Sequence, residues 1–445
     1  GPTAEELIAA LRTYCEIDPS WSDADARALI GVLYETNLRT YSINQQAYIF
    51  AQDVNIDVIS AVKERRLTGV TIETTTVRPY NTVAAAHLLD KVGIDGAENA
   101  FEEYLRGESG VQIQELSTSG KVVSEYWRID PETGEEQIPK PGDNVLLTLD
   151  LRLQEKVEEI LANTIETLES EDTGGGAVVV ESVKTGEILT MASYPTYDLS
   201  RIYSDITLYN QLASDTELTP LLNRATQEFY YPGSTFKPLV AIAALEEGLT
   251  TPTEKIQDTG RLQLPEEEHY PYGDFHPQCW IYRQYGSTHG WENVTEAIKD
   301  SCNIFFYDAG RQLGIERLNL YARMFGLGEH TGIEIGDNDG VVSSPEYTES
   351  LNQTWYEGNT MYAAIGQENT RCTPLQLANY VATLANGGKH YPVHLLKTVK
   401  TNDFSQVVEE YEPEPLDTID IAPENLSAVL EVVCHSKRRL KQQYK

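Results

Sequence analysis

A serine and a lysine placed one helical turn apart give this sequence its clearest chemical signature. Pro232 and Gly233 form a turn signal that leads directly into Ser234, Lys237 follows three residues later, and an apolar segment continues to Gly248. The apolar residues recur at helical spacing, which predicts a buried helix that begins near Ser234 and ends near Gly248. Because residues three positions apart share one face of a helix, the amine of Lys237 can approach the hydroxyl of Ser234.

This arrangement is suited to acyl transfer. A serine hydroxyl is a weak nucleophile until a neighbouring base takes its proton, and a lysine serves as that base when burial lowers its pKa. A buried helix would supply the desolvation, and its N-terminus would add partial positive charge that favours an oxyanion or a substrate carboxylate. Ser234 is therefore the candidate nucleophile and Lys237 the candidate base.

The same spacing occurs a second time, and the surroundings distinguish the two copies. Ser-x-x-Lys is short enough that a chain of this length contains about one copy by chance. Ser60 and Lys63 lie in a charged segment that continues as Glu-Arg-Arg, which is typical of a solvent-exposed helix. We therefore interpret that copy as structural.

A polar triplet further along the chain, Ser301-Cys302-Asn303, is enclosed by apolar residues. By itself such a triplet is typical of a helix start or of a turn whose polar groups are satisfied. Together with Ser234 and Lys237, it resembles the first two signature motifs of the penicillin-binding proteins and the serine β-lactamases.

Longer strings narrow the resemblance to the class B penicillin-binding proteins, which are the monofunctional transpeptidases. The strings follow one another in the order that the family has, and they cover most of the chain from about residue 48 to residue 388. They are Asn223-Arg224-Ala225, the segment around Ser234, His289-Gly290, Ala297 to Phe305, Phe325-Gly326-Leu327-Gly328, Thr331-Gly332-Ile333, Ala364-Ile365-Gly366-Gln367, Thr373 to Ala378 and Asn386-Gly387-Gly388.

The resemblance implies an α+β fold, in which a penicillin-binding transpeptidase domain with an antiparallel sheet packed by helices stands on an elongated N-terminal pedestal. A chain of 445 residues is long enough for two or more domains. Residues 130–142 are rich in proline, glycine and charge, which is typical of surface turns. We therefore expect a non-catalytic pedestal at residues 1–143 and a transpeptidase domain at residues 144–445.

Hydrophobic spacing also predicts individual elements. Amphipathic spacing predicts helices at residues 4–14 and 22–35, and a β-branched alternating run predicts a strand at residues 68–77. A short strand at residues 145–150 and a helix at residues 151–169 precede a β-hairpin that we expect between residues 176 and 192.

The resemblance implies the mechanism of a peptidoglycan D,D-transpeptidase. Ser234 would attack the carbonyl between two D-alanines of a stem peptide, with Lys237 as the base. The terminal D-alanine would leave with a proton delivered through Ser301, while Asn303 would hydrogen-bond a substrate amide. An amine on a neighbouring stem peptide would then resolve the acyl-enzyme and form a cross-link.

The same resemblance implies the ligands and partners. Gly366 and Gln367 would join Ser301 and Asn303 in substrate binding, and β-lactam antibiotics would acylate Ser234 as substrate mimics. Other cell-wall synthesis proteins would bind the pedestal. No metal and no organic cofactor is implied.

The charge balance and the N-terminus bear on location. The net charge of −35, from 34 basic and 69 acidic residues, argues against nucleic acid or an anionic membrane surface as a partner. No run approaches the roughly 20 apolar residues of a spanning helix, and Gly1-Pro2 is typical of a scar left by tag cleavage. Because class B proteins carry an N-terminal membrane anchor, we expect that this anchor was removed and that the parent protein works at the extracytoplasmic face of the bacterial membrane.

Five cysteines are too few and too scattered along the chain to predict a disulfide framework or a metal site. Cys302 is of interest because it separates two candidate catalytic residues and because Cys279 precedes it by a short segment. A disulfide between Cys279 and Cys302 would distort the site and make the enzyme redox-sensitive, which we state as a hypothesis.

The third signature of the family, Lys-Thr-Gly, occurs in an unexpected position. Lys184-Thr185-Gly186 precedes Ser234 and lies where we predict the turn of the hairpin, so we interpret it as unrelated to catalysis. Lys397-Thr398-Val399 lacks the glycine that close approach of a substrate backbone requires. The last residues are basic in an acidic chain, which is typical of a truncated or altered end or of a natural solvated tail.

Two other functional classes remain open at this point. A β-lactamase or β-lactam sensor shares the motifs, although its catalytic domain does not need the long N-terminal pedestal. A catalytically impaired scaffold of the cell-wall synthesis machinery would explain the missing third motif. The rate of deacylation separates the first class from a transpeptidase, and the absence of any acylation favours the second class.

Overall fold

The computed structural model of the protein describes residues 3–38, 49, 51, 54–65, 70–73, 79–90, 96–118, 122–168, 173–202, 205–264 and 276–432. The chain forms two compact units, one from Gly1–Val77 with Val111–Glu136 and one from Arg78–Gly110 with Gln137–Lys445. The units therefore interleave along the sequence, and a division into domains at residue 143 stays a prediction.

In the described residues of the first unit there are three helices and one strand pair. Helix α1 spans Ala4–Tyr14, α2 spans Asp23–Leu38 and α3 spans Ile56–Arg65, while strands β1 (Gln112–Leu116) and β2 (Val122–Trp127) pair antiparallel. The predicted helices at residues 4–14 and 22–35 are confirmed. Helix α3, which carries Ser60 and Lys63, buries none of its residues, so the interpretation of a solvent-exposed helix is confirmed as well.

The strand predicted at residues 68–77 is wrong in its described part. Residues 70–73 lie in no strand, and the other predicted positions lie outside the described residues. β-Branched residues favour a strand only where a second strand supplies hydrogen-bond partners and a packing surface. In the described part of the chain no strand pairs with residues 70–73.

The second unit begins with three short helices and then alternates strands with helices. Its first elements are α4 (Ala86–Leu89), α5 (Gly96–Ala100), α6 (Glu102–Leu105), β3 (Asn144–Leu147), α7 (Leu151–Thr167), β4 (Gly176–Glu181) and β5 (Ile188–Tyr194). Asp150 caps α7 by accepting hydrogen bonds from the amides of Arg152 and Leu153. Strands β4 and β5 form the predicted antiparallel hairpin, and Lys184-Thr185-Gly186 lies in its turn, as predicted.

The rest of the second unit is mainly helical. Its elements are α8 (Leu199–Ile202), α9 (Ile206–Ser214), α10 (Lys237–Glu246), β6 (Ile256–Asp258), α11 (Trp280–Tyr285), β7 (Gly290–Glu292), α12 (Val294–Lys299), α13 (Asn303–Met324, broken at Gly314), α14 (Pro345–Ser350), α15 (Glu357–Ala363), α16 (Pro374–Ala385), β8 (Lys389–His390), β9 (Leu396–Lys400), β10 (Val407–Glu410) and β11 (Asp417–Thr418).

Every pair of named strands is antiparallel. Strand β9 lies between β10 and β3, while β4 pairs with β5, β6 with β7 and β8 with β11. Together with the helices that pack around them, these sheets confirm the predicted α+β class. Among the described residues no helix has both the length and the apolar character to cross a bilayer.

The largest apolar core surrounds α10. Residues 239–245 of this helix are all at most 5% exposed, and they pack in one cluster with buried residues of α13 such as Phe305 and Phe306. Helix α10 is therefore enclosed on all sides rather than amphipathic, which fixes the position of its first residue, Lys237.

Candidate active site

A sharp turn presents Ser234 at the surface. A short 3-10 helix at Gly233–Phe236 leads into α10, and Ser234 is exposed while Phe236 is buried. The amide of Gly233 donates a hydrogen bond of 2.8 Å to the carbonyl oxygen of Gly366. Gly366 has a φ of +70°, and a Cβ atom there would lie 2.2 Å from the carbonyl oxygen of Gly233. A glycine at position 366 thus lets a neighbouring loop support the turn of Ser234 at close range.

The lysine of the motif is enclosed by the protein. Lys237 is only 1% exposed, and its Nζ donates to the carbonyl oxygen of Ser301 at 2.8 Å, to the Oγ of Ser301 at 2.9 Å and to the Oδ1 of Asn303 at 2.7 Å. Because burial disfavours the charged ammonium, the pKa of Lys237 is lowered to about 8. A substantial fraction of this lysine is therefore a neutral base at mildly alkaline pH.

Ser301 connects the lysine to the nucleophile. Its Oγ donates a hydrogen bond of 2.7 Å to the Oγ of Ser234. The sequence led us to expect a direct approach of Lys237 to Ser234, whereas the hydrogen bonds of the structure join the two residues through Ser301. The three side chains form a continuous path for a proton.

The backbone at Ser301 explains how its hydroxyl reaches this position. Helix α12 ends at Lys299, helix α13 begins at Asn303, and Ser301 between them has a φ of +57°. A non-glycine residue in the left-handed region is strained, and such strain persists only where the surroundings enforce it. Here it occurs at the residue whose hydroxyl contacts the candidate nucleophile.

The structure brings four of the sequence-predicted residues into one group: Ser234, Lys237, Ser301 and Asn303. Gly366 lies directly behind the turn of Ser234. The next residue, Gln367, has an exposed side chain, and its backbone N–H donates to the carbonyl oxygen of Tyr362. The contacts that Gly366 and Gln367 would make with a substrate stay predictions.

Cys279 and Cys302 are not bridged in this structure, and the hypothesis that oxidation joins them in a disulfide stays a prediction. Both residues are buried free thiols, and Cys434 lies outside the described residues. Each sulfur also has a polar neighbour: the Sγ of Cys279 is 3.5 Å from Nδ1 of His289, and the Sγ of Cys302 is 3.7 Å from Oδ2 of Asp258.

These four residues form a cluster of metal-binding type. One ligand atom from each of Asp258, Cys279, His289 and Cys302 lies within 4.8 Å of the others. Two sulfurs, one imidazole nitrogen and one carboxylate oxygen are a donor set that suits four-coordinate zinc. Cys279 and Cys302 are therefore close in space although they are separated along the chain, and a metal site at this cluster is a prediction that the sequence did not suggest.

Cys302 connects the cluster to the candidate catalytic residues, because it lies between Ser301 and Asn303 in the chain. Asp258 is itself oriented by the amide of Gly260 at 2.7 Å and by the amide of His289 at 3.2 Å. Such second contacts fix the orientation of a ligand. The sequence contains one signal of this cluster, because a histidine and two cysteines occur within a short span. Asp258 lies further away along the chain, and only the fold brings it to them.

Comparison with protein families gives two matches. The model of the penicillin binding protein transpeptidase domain matches residues 176–435, and the model of the penicillin-binding protein dimerisation domain matches residues 87–144. The transpeptidase match includes all four candidate catalytic residues, Ser234, Lys237, Ser301 and Asn303.

Individual relatives agree with these matches. The peptidoglycan D,D-transpeptidase MrdA of Escherichia coli is 34% identical over 336 residues, which are 74% of this chain and 48% of that protein. The chain thus spans about half the length of the curated relatives it matches. A crystal structure of Pseudomonas aeruginosa PBP2 in complex with WCK 5153 superposes with a TM-score of 0.59 at 31% identity, covering 77% of this chain and 65% of that one.

A further structure extends the similarity of fold toward the N-terminus. PBP2 of Helicobacter pylori in its complex with MreC has a TM-score of 0.67 and covers 97% of this chain and 77% of its own. At 22% identity this likeness concerns the fold alone.

Proposed function

The chain belongs to the class B penicillin-binding proteins, and from this premise we propose that the protein is a peptidoglycan D,D-transpeptidase that cross-links stem peptides through an acyl-enzyme on Ser234. The observation that carries the proposal is the path of hydrogen bonds from Ser234 through Ser301 to the buried Lys237. A neutral lysine at its end makes the exposed hydroxyl of Ser234 a nucleophile without any other base.

The first half-reaction follows from this path. The Oγ of Ser234 forms a bond to the carbonyl carbon of the penultimate D-alanine, and its proton passes to Ser301, which passes its own proton to the amine of Lys237. The bond to the terminal D-alanine then breaks, and the leaving amine takes up a proton along the same route in reverse. Lys237 is neutral again, and Ser234 carries the acyl group as an ester.

The second half-reaction uses the same groups. An amine of a neighbouring stem peptide attacks the ester and loses its proton through Ser301, and the released Oγ of Ser234 regains a proton. The Oδ1 of Asn303 accepts a hydrogen bond from Lys237, so Asn303 orients the lysine. In this proposal Asn303 also forms a hydrogen bond with an amide of the substrate. Gly366 and Gln367 complete the substrate-binding group in this proposal.

The partners and the location belong to the same proposal. β-Lactams would acylate Ser234, and other cell-wall synthesis proteins would bind the N-terminal part. PBP2 of Helicobacter pylori has been solved in a complex with one partner protein, MreC. The work would take place at the outer face of the bacterial cell membrane, where an N-terminal anchor would hold the parent protein.

Transfer of a stem peptide to an amine tests the proposal. We expect the protein to release D-alanine from a pentapeptide and to attach the remaining tetrapeptide to an added amine acceptor, both detected by mass spectrometry. Ser234→Ala should abolish both products, whereas Ser60→Ala, the matched change in the exposed helix α3, should leave them unchanged. Products that persist in Ser234→Ala would overturn the assignment.

A further inference from the structure

An exposed arginine stands beside the turn that carries the nucleophile. The Nη2 of Arg371 donates a hydrogen bond of 2.8 Å to the hydroxyl of Tyr231, and its Cζ lies 4.8 Å from the centre of the tyrosine ring. Tyr231 precedes Ser234 by three residues. Three residues span at most about 11 Å of chain, so the backbone of Tyr231, against whose side chain Arg371 packs, lies within about that distance of the Ser234 backbone.

The backbone beneath this pair is fixed on both sides. Arg371 and Val341 exchange two backbone hydrogen bonds of 2.8 Å, and the next residue, Cys372, exchanges bonds of 2.9 and 3.0 Å with Tyr230. Cys372 is completely buried, while the side chain of Tyr231 is 53% exposed. Two surface side chains are therefore held on a rigid base, which reduces the entropy lost when they bind a ligand.

The guanidinium has unused binding capacity. Within the described residues no carboxylate lies at ion-pair distance from Arg371, although the chain has 69 acidic residues against 34 basic ones. An arginine has five N–H donors in a planar fork, and Tyr231 accepts one of them. A carboxylate is the group that this fork binds best, because it accepts two parallel hydrogen bonds.

Arg224, by contrast, shows how this protein uses an arginine for structure alone. It is 5% exposed, and its guanidinium donates to the carbonyl oxygens of Leu218 and Thr219 and pairs with Glu228. A structural arginine is thus buried and satisfied, whereas Arg371 is exposed and offers donors beside the nucleophile.

We propose that Arg371, stacked on Tyr231, recognises a carboxylate in the arm of the donor peptide that precedes the scissile amide. This inference rests on the proposed function, since it specifies which donor peptides the site accepts. An extended peptide rises about 3.3 Å per residue, so the recognised carboxylate belongs to a residue about two to four positions before the scissile bond. The subsite makes the enzyme selective for peptides in which this carboxylate is free.

The overall charge of the protein sets the expected direction of this selectivity. A net charge of −35 repels an anionic peptide, so without a local cation the uncharged form of a peptide binds better. A preference for the peptide with the free carboxylate therefore requires a cation at the site. If Arg371 is removed, the uncharged peptide should bind more tightly than the charged one.

Two matched peptides test the proposal in binding alone. Both end in D-Ala-D-Ala and contain a γ-linked D-glutamate, with its α-carboxylate free in one and amidated in the other. Affinities are measured by titration calorimetry on the Ser234→Ala protein, which cannot form the ester. We expect the free acid to bind about tenfold more tightly, as a charge-assisted pair provides. Adding Arg371→Ala should reduce this ratio to one or below, and adding Tyr231→Phe should reduce it only in part.

Arg323→Ala is the matched control, because Arg323 is an exposed arginine of α13 that pairs with Glu329, and it should leave the ratio unchanged. Equal affinities for the two peptides, binding of neither, or a ratio that Arg371→Ala does not alter would overturn the proposal. If Arg371→Ala lowers the affinity for both peptides by the same factor, Arg371 positions the site without recognising the carboxylate, and this result would also overturn the proposal. The proposed function fails on a different observation, the absence of acyl transfer by protein with Ser234 intact.

Discussion

The chain contains the pattern Ser-x-x-Lys twice on helical segments, and the two copies differ in everything except spacing. Ser60 and Lys63 lie on helix α3, where both are exposed and no residue is buried. Ser234 is exposed as well, but Lys237 is 1% exposed and all three of its hydrogen bonds go to the segment Ser301–Asn303. The two copies therefore differ in the burial of the lysine and in the neighbour that links the lysine to the serine, and these are the features on which the proposed catalytic role of Ser234 and Lys237 depends.

Removing the two lysines tests this comparison with the largest expected effect. We expect Lys237→Ala to slow acylation by a labelled penicillin by about 10³-fold or more, because the general base is lost. Lys63→Ala should leave the rate unchanged. The acylation rate is measured by stopped-flow or gel fluorescence. If Lys237→Ala is acylated as fast as the wild-type protein, Lys237 is not the general base.

The second largest effect is expected for Ser301, the residue that links Ser234 to Lys237. Ser301→Ala removes the hydroxyl between Ser234 and Lys237 and should reduce acylation about 10²-fold. Thermal unfolding should change little, because Ser301 is partly exposed and only its hydroxyl is lost. If Ser301→Ala acylates at the normal rate, the proton does not travel through this residue.

The candidate metal site at Asp258, Cys279, His289 and Cys302 gives the Ser234 copy of the motif a neighbouring structure that can be tested separately. We expect protein purified without chelator to contain about one zinc ion per chain by elemental analysis. Cys279→Ser should lower zinc affinity at least about tenfold, and it should slow acylation because Cys302, another member of the cluster, is bonded directly to Ser301 in the chain. Cys372→Ser, a change of an equally buried cysteine outside the cluster, is the control. Equal zinc affinity of the two variants in a competition titration, or wild-type protein that contains no zinc, would contradict the assignment.

The pH dependence follows from the pKa of about 8 for Lys237. The neutral amine is the active form, so acylation should be slow below this pKa and should rise as the proton is lost. Between pH 7 and pH 9 we expect about a tenfold increase that then levels off. A rate that falls over this range would show that the ammonium form is the active one.

The smallest effect concerns the loop behind the turn. Gly366→Ala places a Cβ atom 2.2 Å from the carbonyl oxygen of Gly233, whereas Gly248, which also has a positive φ, has open space around its Cβ position. We expect Gly366→Ala to cost at least about 1 kcal/mol more than Gly248→Ala in the free energy of unfolding and to slow acylation a few-fold. If the two variants are equally stable, the loop that contains Gly366 can move away from Gly233 without a cost in the free energy of unfolding.

The sequence predicted the parts of the site that depend on neighbours along the chain. The turn before Ser234, the buried helix after it and the polar triplet at Ser301 each have a local pattern, and each is present as predicted. The hairpin of β4 and β5 was predictable for the same reason, since its strands and its turn are contiguous.

What the sequence did not predict depends on distant residues meeting in space. The hydrogen bond from Ser301 to Ser234 requires an unusual φ that no local pattern indicates. Asp258 joins Cys302 in one cluster although 44 residues separate them. Residues 70–73 have strand composition but no partner among the described strands.

The measurement that tests the central claim most directly is the mass of the intact protein after incubation with a penicillin, followed by peptide mapping. We predict one adduct per chain, located on Ser234 and absent from Ser234→Ala. An adduct on another residue, or none on protein that circular dichroism shows to be folded, would contradict the claim that Ser234, Ser301 and Lys237 form an acylating unit.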